Sequence, residues 1–175
     1  MLALVASLAL AACSSGSEGS TGRADADATS GLVAPEGFNT VTLVVTRPDG
    51  TTEEWCLWLA DNSILRAKGL MDVTDPDLGG AAGMVFAFSA DTSGAFWMSA
   101  TPMPLSVAWY DSEGRFVSDA DMDPCPDDTA DDACPRYAAA RPYRYAIETP
   151  QGRLADLGLV EGSTIELAET CLVTA

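Results

Sequence analysis

The residues able to do chemistry in this chain are carboxylates and thiols, and imidazole is missing altogether. Of 175 residues, 26 are Asp or Glu, nine are Lys or Arg, and none is His. Without histidine there is no Ser-His-Asp or Cys-His relay and no imidazole to hold zinc. The densest acidic stretch runs from Asp119 to Asp132, with seven aspartates in fourteen residues and no base. Within it Asp119, Asp121 and Asp123 fall at positions 1, 3 and 5 of a calcium loop, the spacing that aims carboxylates at one hard cation. The rest of that loop is missing: Pro124 stands where glycine makes the turn, and Ala130 where a bidentate Glu should sit. The competing reading is a solvated acidic loop held by whatever bond Cys125 makes. So many acids guarantee accidental carboxylate pairs, and no local pattern marks out two of them for glycoside hydrolysis. Ser99 and Ser163 lie in no nucleophile elbow, and Lys68 lacks a partner motif. These patterns assign no catalytic residue and no cofactor.

The five cysteines fall into two settings. Cys56, Cys125, Cys134 and Cys171 are an even set, which in an exported chain predicts disulfides, and four cysteines allow three pairings. A four-cysteine metal site would need the C-x₂-C spacing that preorganises thiolates, and that spacing is absent. The expected pairs are Cys125–Cys134, closing a loop too rich in Pro and Asp to pack by itself, and Cys56–Cys171, tying an early strand to the C-terminal segment. The fifth, Cys13, ends the stretch Leu10-Ala11-Ala12-Cys13-Ser14. Residues 1–12 carry no charge but are too few to cross a hydrocarbon core of about 30 Å, so they read as a signal peptide. Their end resembles the lipobox of bacterial lipoproteins, in which the cysteine is acylated and becomes the new N-terminus. That resemblance implies a chain tethered through Cys13 to a bilayer on the outer face of a bacterial membrane. The rival is an ordinary secretory peptide with Cys13 incidental. Residues 13–35 then form a lipidated terminus and a flexible Ser/Gly/Asp linker, because the segment has no apolar period to repay its ordering.

The elements that must position any site lie in residues 36–175, a length suited to one domain. Val41, Leu43 and Val45 alternate with threonines, the period of a strand with one wet face. Arg47-Pro48-Asp49-Gly50 is a turn signal, and Glu54–Ala60 follows as a second strand. Asp61 or Asn62 caps a short helix over Ser63–Lys68, with Gly69 at its C′ position. Met84–Phe88, Ala95–Met98, Leu105–Tyr110, Phe116–Ala120, Tyr143–Glu148 and Thr164–Ala168 read as further strands, and Arg153–Leu157 as a brief helical turn. Many short strands with one or two short helices predict a mainly-β, sandwich-like or barrel-like single domain. A formal charge of −17 repels phosphate backbones and argues against nucleic acid as a partner.

Five blocks in order carry a family resemblance. They are Leu59-Ala60-Asp61, Arg66-Ala67-Lys68-Gly69-Leu70-Met71, Gly83-Met84-Val85-Phe86, Phe96-Trp97-Met98 with Thr101 and Pro104-Leu105, and Tyr145-Ala146-Ile147-Glu148 with Gly152, Gly158 and Gly162. Together they resemble the Domain of Unknown Function 192 family over about residues 57–167. The resemblance implies a compact, mainly-β fold and frequent export, and implies no activity. Two positions depart from it: Ala100 stands where the family usually has asparagine, and Ser106 where it has aspartate. The blocks also contain residue types suited to an apolar or flat ligand, so Arg66, Met71, Trp97 and Met98 are the candidate binding residues. The competing reading is that these residues fill the core. The expected function is a lipid-anchored, monomeric, non-enzymatic binding or accessory module for a small molecule, glycan or envelope protein. The alternatives are a carboxylate- or metal-dependent envelope enzyme and a purely structural envelope protein.

Overall fold

The computed structural model describes residues 33–126 and 130–173. Cys13, the signal-like segment and the linker as far as residue 32 lie outside the described residues. Seven strands form one sheet: β1 (Asn39–Thr46), β2 (Thr52–Ala60), β3 (Gly83–Thr92), β4 (Leu105–Tyr110), β5 (Phe116–Met122), β6 (Tyr143–Pro150) and β7 (Thr164–Leu167). Their order is β5-β4-β6-β3-β2-β1-β7, with every pair antiparallel except β2–β3. The expected mainly-β domain is therefore a single curled sheet. Its edge strands meet at one bridge, Arg115 to Thr164, without closing into a barrel. At that point Ile165 N–H donates to the Gly114 carbonyl at 2.8 Å. A Cβ on Gly114 would lie 2.1 Å from the Ile165 carbonyl oxygen, so only glycine permits this approach.

The parallel β2–β3 pair has a consequence for the site. Parallel neighbours cannot be joined by a tight turn, so the chain must cross over the sheet between residues 60 and 83. The crossover carries the helix α1 (Ser63–Lys68), the Gly-Leu-Met block and a 3-10 turn at Leu78–Gly80. Asn62 caps α1, its side-chain oxygen accepting from the Ile64 and Leu65 N–H groups at 3.1 and 3.0 Å. Gly69, at φ 47°, ends it by donating its N–H to the Leu65 carbonyl at 2.9 Å.

Alternation along the strands sorts the interior into two apolar clusters, one on each face. One contains Val41, Leu43, Val45, Leu57, Val85, Tyr110 and Ile147, covered by Leu154, Leu157 and Leu159. The other contains Met84, Phe86, Val107, Trp109 and Ala146, covered by Leu70, Val73 and Leu78 from the crossover and by Met98. The two disulfides are Cys56–Cys171 and Cys125–Cys134. The first anchors the segment after β7, whose Glu169 carbonyl accepts from Thr42 N–H of β1 at 2.9 Å.

One expected element differs. Ala95–Met98 is not a strand: it makes a single bridge, between Phe96 and Tyr137, and then turns at Met98–Thr101 through Ala100 at φ 50°. Its apolar residues lie across the sheet face rather than in the sheet, which consumes the same hydrophobic signal. The expected helical turn at Arg153–Leu157 is present as a single turn, with Leu157 N–H on the Arg153 carbonyl at 3.3 Å. Protein contacts also begin before residue 36. The Val33 carbonyl accepts from Thr74 N–H at 2.9 Å, and Pro35 is buried.

Candidate functional site

Between the crossover and the Gly94–Thr101 segment the sheet is left partly uncovered, and a cavity of about 260 Å³ opens there. Three walls meet around it. Arg66 to Met71 come from α1 and the block that follows it, Ala95 to Trp97 from the bridging segment, and Phe86, Phe88, Tyr143 and Glu148 from β3 and β6. The aromatic side chains hold one another in fixed orientations. Phe96 packs edge-on against Phe86 with centroids 5.1 Å apart, and Phe88 edge-on against Tyr143 at 5.5 Å. The Tyr143 hydroxyl donates to the Gly94 carbonyl at 2.7 Å, and burial pushes its pKa up to about 12.

Cations lie on aromatic rings in and beside these walls. The Arg66 guanidinium lies 4.8 Å from the Phe88 ring centre and donates to the Ala87 carbonyl at 2.8 Å. Lys68 donates to the Glu36 carbonyl at 2.7 Å and sits 5.3 Å from the Phe38 ring. Arg136 covers the half-buried Trp97 ring at 3.9 Å. None of the three forms an ion pair among the described residues.

At the cavity floor lies Glu148, the one carboxyl group among the described residues lining it. Glu148 lies on β6 with Met84 of β3 and Val107 of β4 as its register partners, in the middle of the sheet. It is only 5% exposed. Its carboxyl makes no hydrogen bond among the described residues, and burial pushes its pKa up to about 8. An acid so placed is protonated at neutral pH, since the charged form would be stripped of water without compensation.

Of the four candidate binding residues, Arg66, Met71 and Trp97 line this cavity. Met98 does not. It is 1% exposed in the core and borders a separate depression with Asp72, Ser99 and the Cys125–Cys134 bridge. There the Ser99 hydroxyl donates to Asp131 at 2.6 Å and fastens the acidic segment to the domain. The candidate calcium residues are not gathered around a centre. Asp119 and Asp121 sit at alternate positions of the extended strand β5, and Asp121 already accepts the Ser106 hydroxyl. Asp123, beyond the strand, accepts from the Gln151 side chain at 3.4 Å. No group of three or more metal-ligating side chains is present among the described residues.

The two departures from the family pattern have structural roles here. Ala100 occupies the left-handed region, at φ 50°, which asparagine tolerates better than alanine. Ser106 of β4 bonds Asp121 of β5 and accepts the Gly152 N–H at 2.9 Å, joining that strand to the turn after β6. Glu148 is the functional candidate that residue patterns missed. A signal was present: Ala146 and Glu148 share a parity in a strand whose other face carries Tyr145 and Ile147. A strand buried on both faces must turn that acid inward.

Known proteins give the following likenesses. Residues 44–167 match the family DUF192, described as Uncharacterized ACR. No curated protein matches the chain. Among solved structures, a protein of unknown function from Novosphingobium aromaticivorans DSM 12444 is 29% identical. The alignment covers 77% of this chain and 90% of that one, at a TM-score of 0.61. A protein from Sinorhizobium meliloti 1021, provisionally described as a transcription regulator, is 23% identical, with 77% and 98% covered and a TM-score of 0.60. The second likeness is one of fold. With the family matched across most of the domain, the chain belongs to DUF192.

Proposed function

We propose that this chain is an exported, lipid-anchored binding module that holds a small, flat or apolar molecule in the cavity beneath the Gly-Leu-Met block. The observation that carries the reading is the cavity itself, which gathers Arg66, Met71 and Trp97 with four further aromatic rings around one space. A concave, largely apolar site with a few polar groups is the usual form of a small-molecule site. Export is supported by the two disulfides, which persist in oxidising compartments. No helix among the described residues is long and apolar enough to cross a membrane. Attachment then rests on acylation of Cys13. Paired-carboxylate catalysis finds less support, because Glu148 is the one acid among the described residues lining the cavity.

Native mass spectrometry of the full chain taken from its host's envelope tests the reading. A reproducible bound mass that Trp97→Ala removes is the expected result. A bare chain in both forms would refute it.

A further inference from the structure

We infer that the ligand is a primary amine on an aromatic or similarly flat body, its ammonium group seated on the Glu148 carboxyl at the cavity floor. The inference rests on the binding reading above and names the chemical class that the site selects.

Two independent features of the cavity point to this class. The first is the carboxyl. Glu148 is 5% exposed, lines the cavity, and has no hydrogen-bond partner among the described residues. Unlike the buried and unpaired Nε1 atoms of Trp55 and Trp109, its oxygens are open to the cavity, so their donor comes from whatever occupies that space. An ammonium supplies up to three charge-assisted donors and a countercharge. The second feature is the walls. The cavity presents Phe86, Phe88, Phe96, Trp97 and Tyr143, whose ring faces carry negative charge density that attracts cations. This region already holds cations in that way: Arg66 on Phe88, Lys68 on Phe38 and Arg136 on Trp97. Arg66 and Lys68 line the cavity themselves, engaged by those contacts and by their bonds to the Ala87 and Glu36 carbonyls. The chain's net charge of −17 also concentrates cationic ligands near its surface.

Burial favours the neutral form of Glu148, raising its pKa to about 8. The charged or titratable groups sharing the lining are Arg66 and Lys68 from α1 and Tyr143 from β6. An entering ammonium favours the carboxylate, so Glu148 releases its proton to solvent as the amine binds and no other bond changes. Uptake therefore strengthens from pH 6 to pH 8.

Three probes with a common phenyl body separate the possibilities. Dissociation constants of 2-phenylethylamine, 2-phenylethanol and 3-phenylpropanoate for the full chain at pH 8 are measured by NMR titration. The amine is expected to bind about tenfold or more tightly than the alcohol, the factor that one charge-assisted bond supplies. Glu148→Gln should abolish that preference, so that the amine binds no more tightly than the alcohol. Equal binding of amine and alcohol, tighter binding of the propanoate, or an amine preference that survives Glu148→Gln overturns the inference but leaves the cavity as a binding site. Failure of all three probes to bind overturns the inference and the binding reading together.

Discussion

Replacing Glu148 with glutamine removes a titration and almost nothing else, which makes it a sharp probe of the cavity floor. Its carboxyl has an ordinary pKa of 4.5 and is raised to about 8 in the fold by burial. Below pH 4.5 folded and unfolded chains both carry the proton, so the group favours neither. Between 4.5 and 8 the unfolded chain ionises while the folded one cannot, and stability falls as pH rises. Each pH unit in that window costs about 1.4 kcal/mol, so the full effect approaches about 5 kcal/mol at pH 8. Water entering the cavity reduces this, and a loss of about 2–4 kcal/mol between pH 5 and pH 8 is expected. Glu148→Gln keeps the shape and a neutral polar group but has no proton to lose. Urea unfolding with the disulfides intact, followed by tryptophan fluorescence, reads the difference directly. The two proteins should match near pH 5, and the variant should be the more stable by pH 8. Parallel curves across this range, within about 0.5 kcal/mol, would show that Glu148 ionises freely in the fold and sink the argument from burial.

Further outcomes follow from other parts of the fold. Trp97→Ala opens a half-buried wall of the cavity, so probe binding should vanish in NMR titration while strand dispersion in the same spectra persists. Removing the Cys56–Cys171 bridge by a double Cys→Ala change should cost about 4–5 kcal/mol in denaturant unfolding, against about 2–3 kcal/mol for Cys125–Cys134, because the first closes the longer loop. Ala100→Asn relaxes a left-handed backbone position and should raise stability by about 1 kcal/mol, seen as a higher Tm. Cys13→Ala should move the protein from the membrane fraction to the soluble or secreted one. Continued sedimentation after an alkaline wash would refute the tether.

Sequence by itself determined what depends on local chemistry and on spacing of two. The hairpin turns at Gly50 and Gly114 and the cap at Asn62 are legible because glycine at positive φ and a short side-chain acceptor solve local problems. The strands β1, β2, β4 and β6 are legible because one or both faces must be apolar, and the absence of histidine excludes whole reaction classes without any structure. What sequence could not give is where distant segments meet. Ala95–Met98 has a strand's composition, but among the described residues its backbone forms one bridge, Phe96 to Tyr137, so it covers the sheet instead of extending it. That placement sends Trp97 to the cavity and Met98 to the core, a division that adjacent apolar residues do not announce. Asp119 and Asp121 keep calcium-loop spacing yet lie in an extended strand, because pairing with β4 holds the backbone straight where a loop would curl. Glu148 is the clearest case. In the chain it is one acid among 26, with an ordinary neighbourhood of Ile147 and Thr149. Only the pairing of β6 between β3 and β4 removes water from both sides of it, and a pKa is set by what surrounds a group in space rather than along the chain.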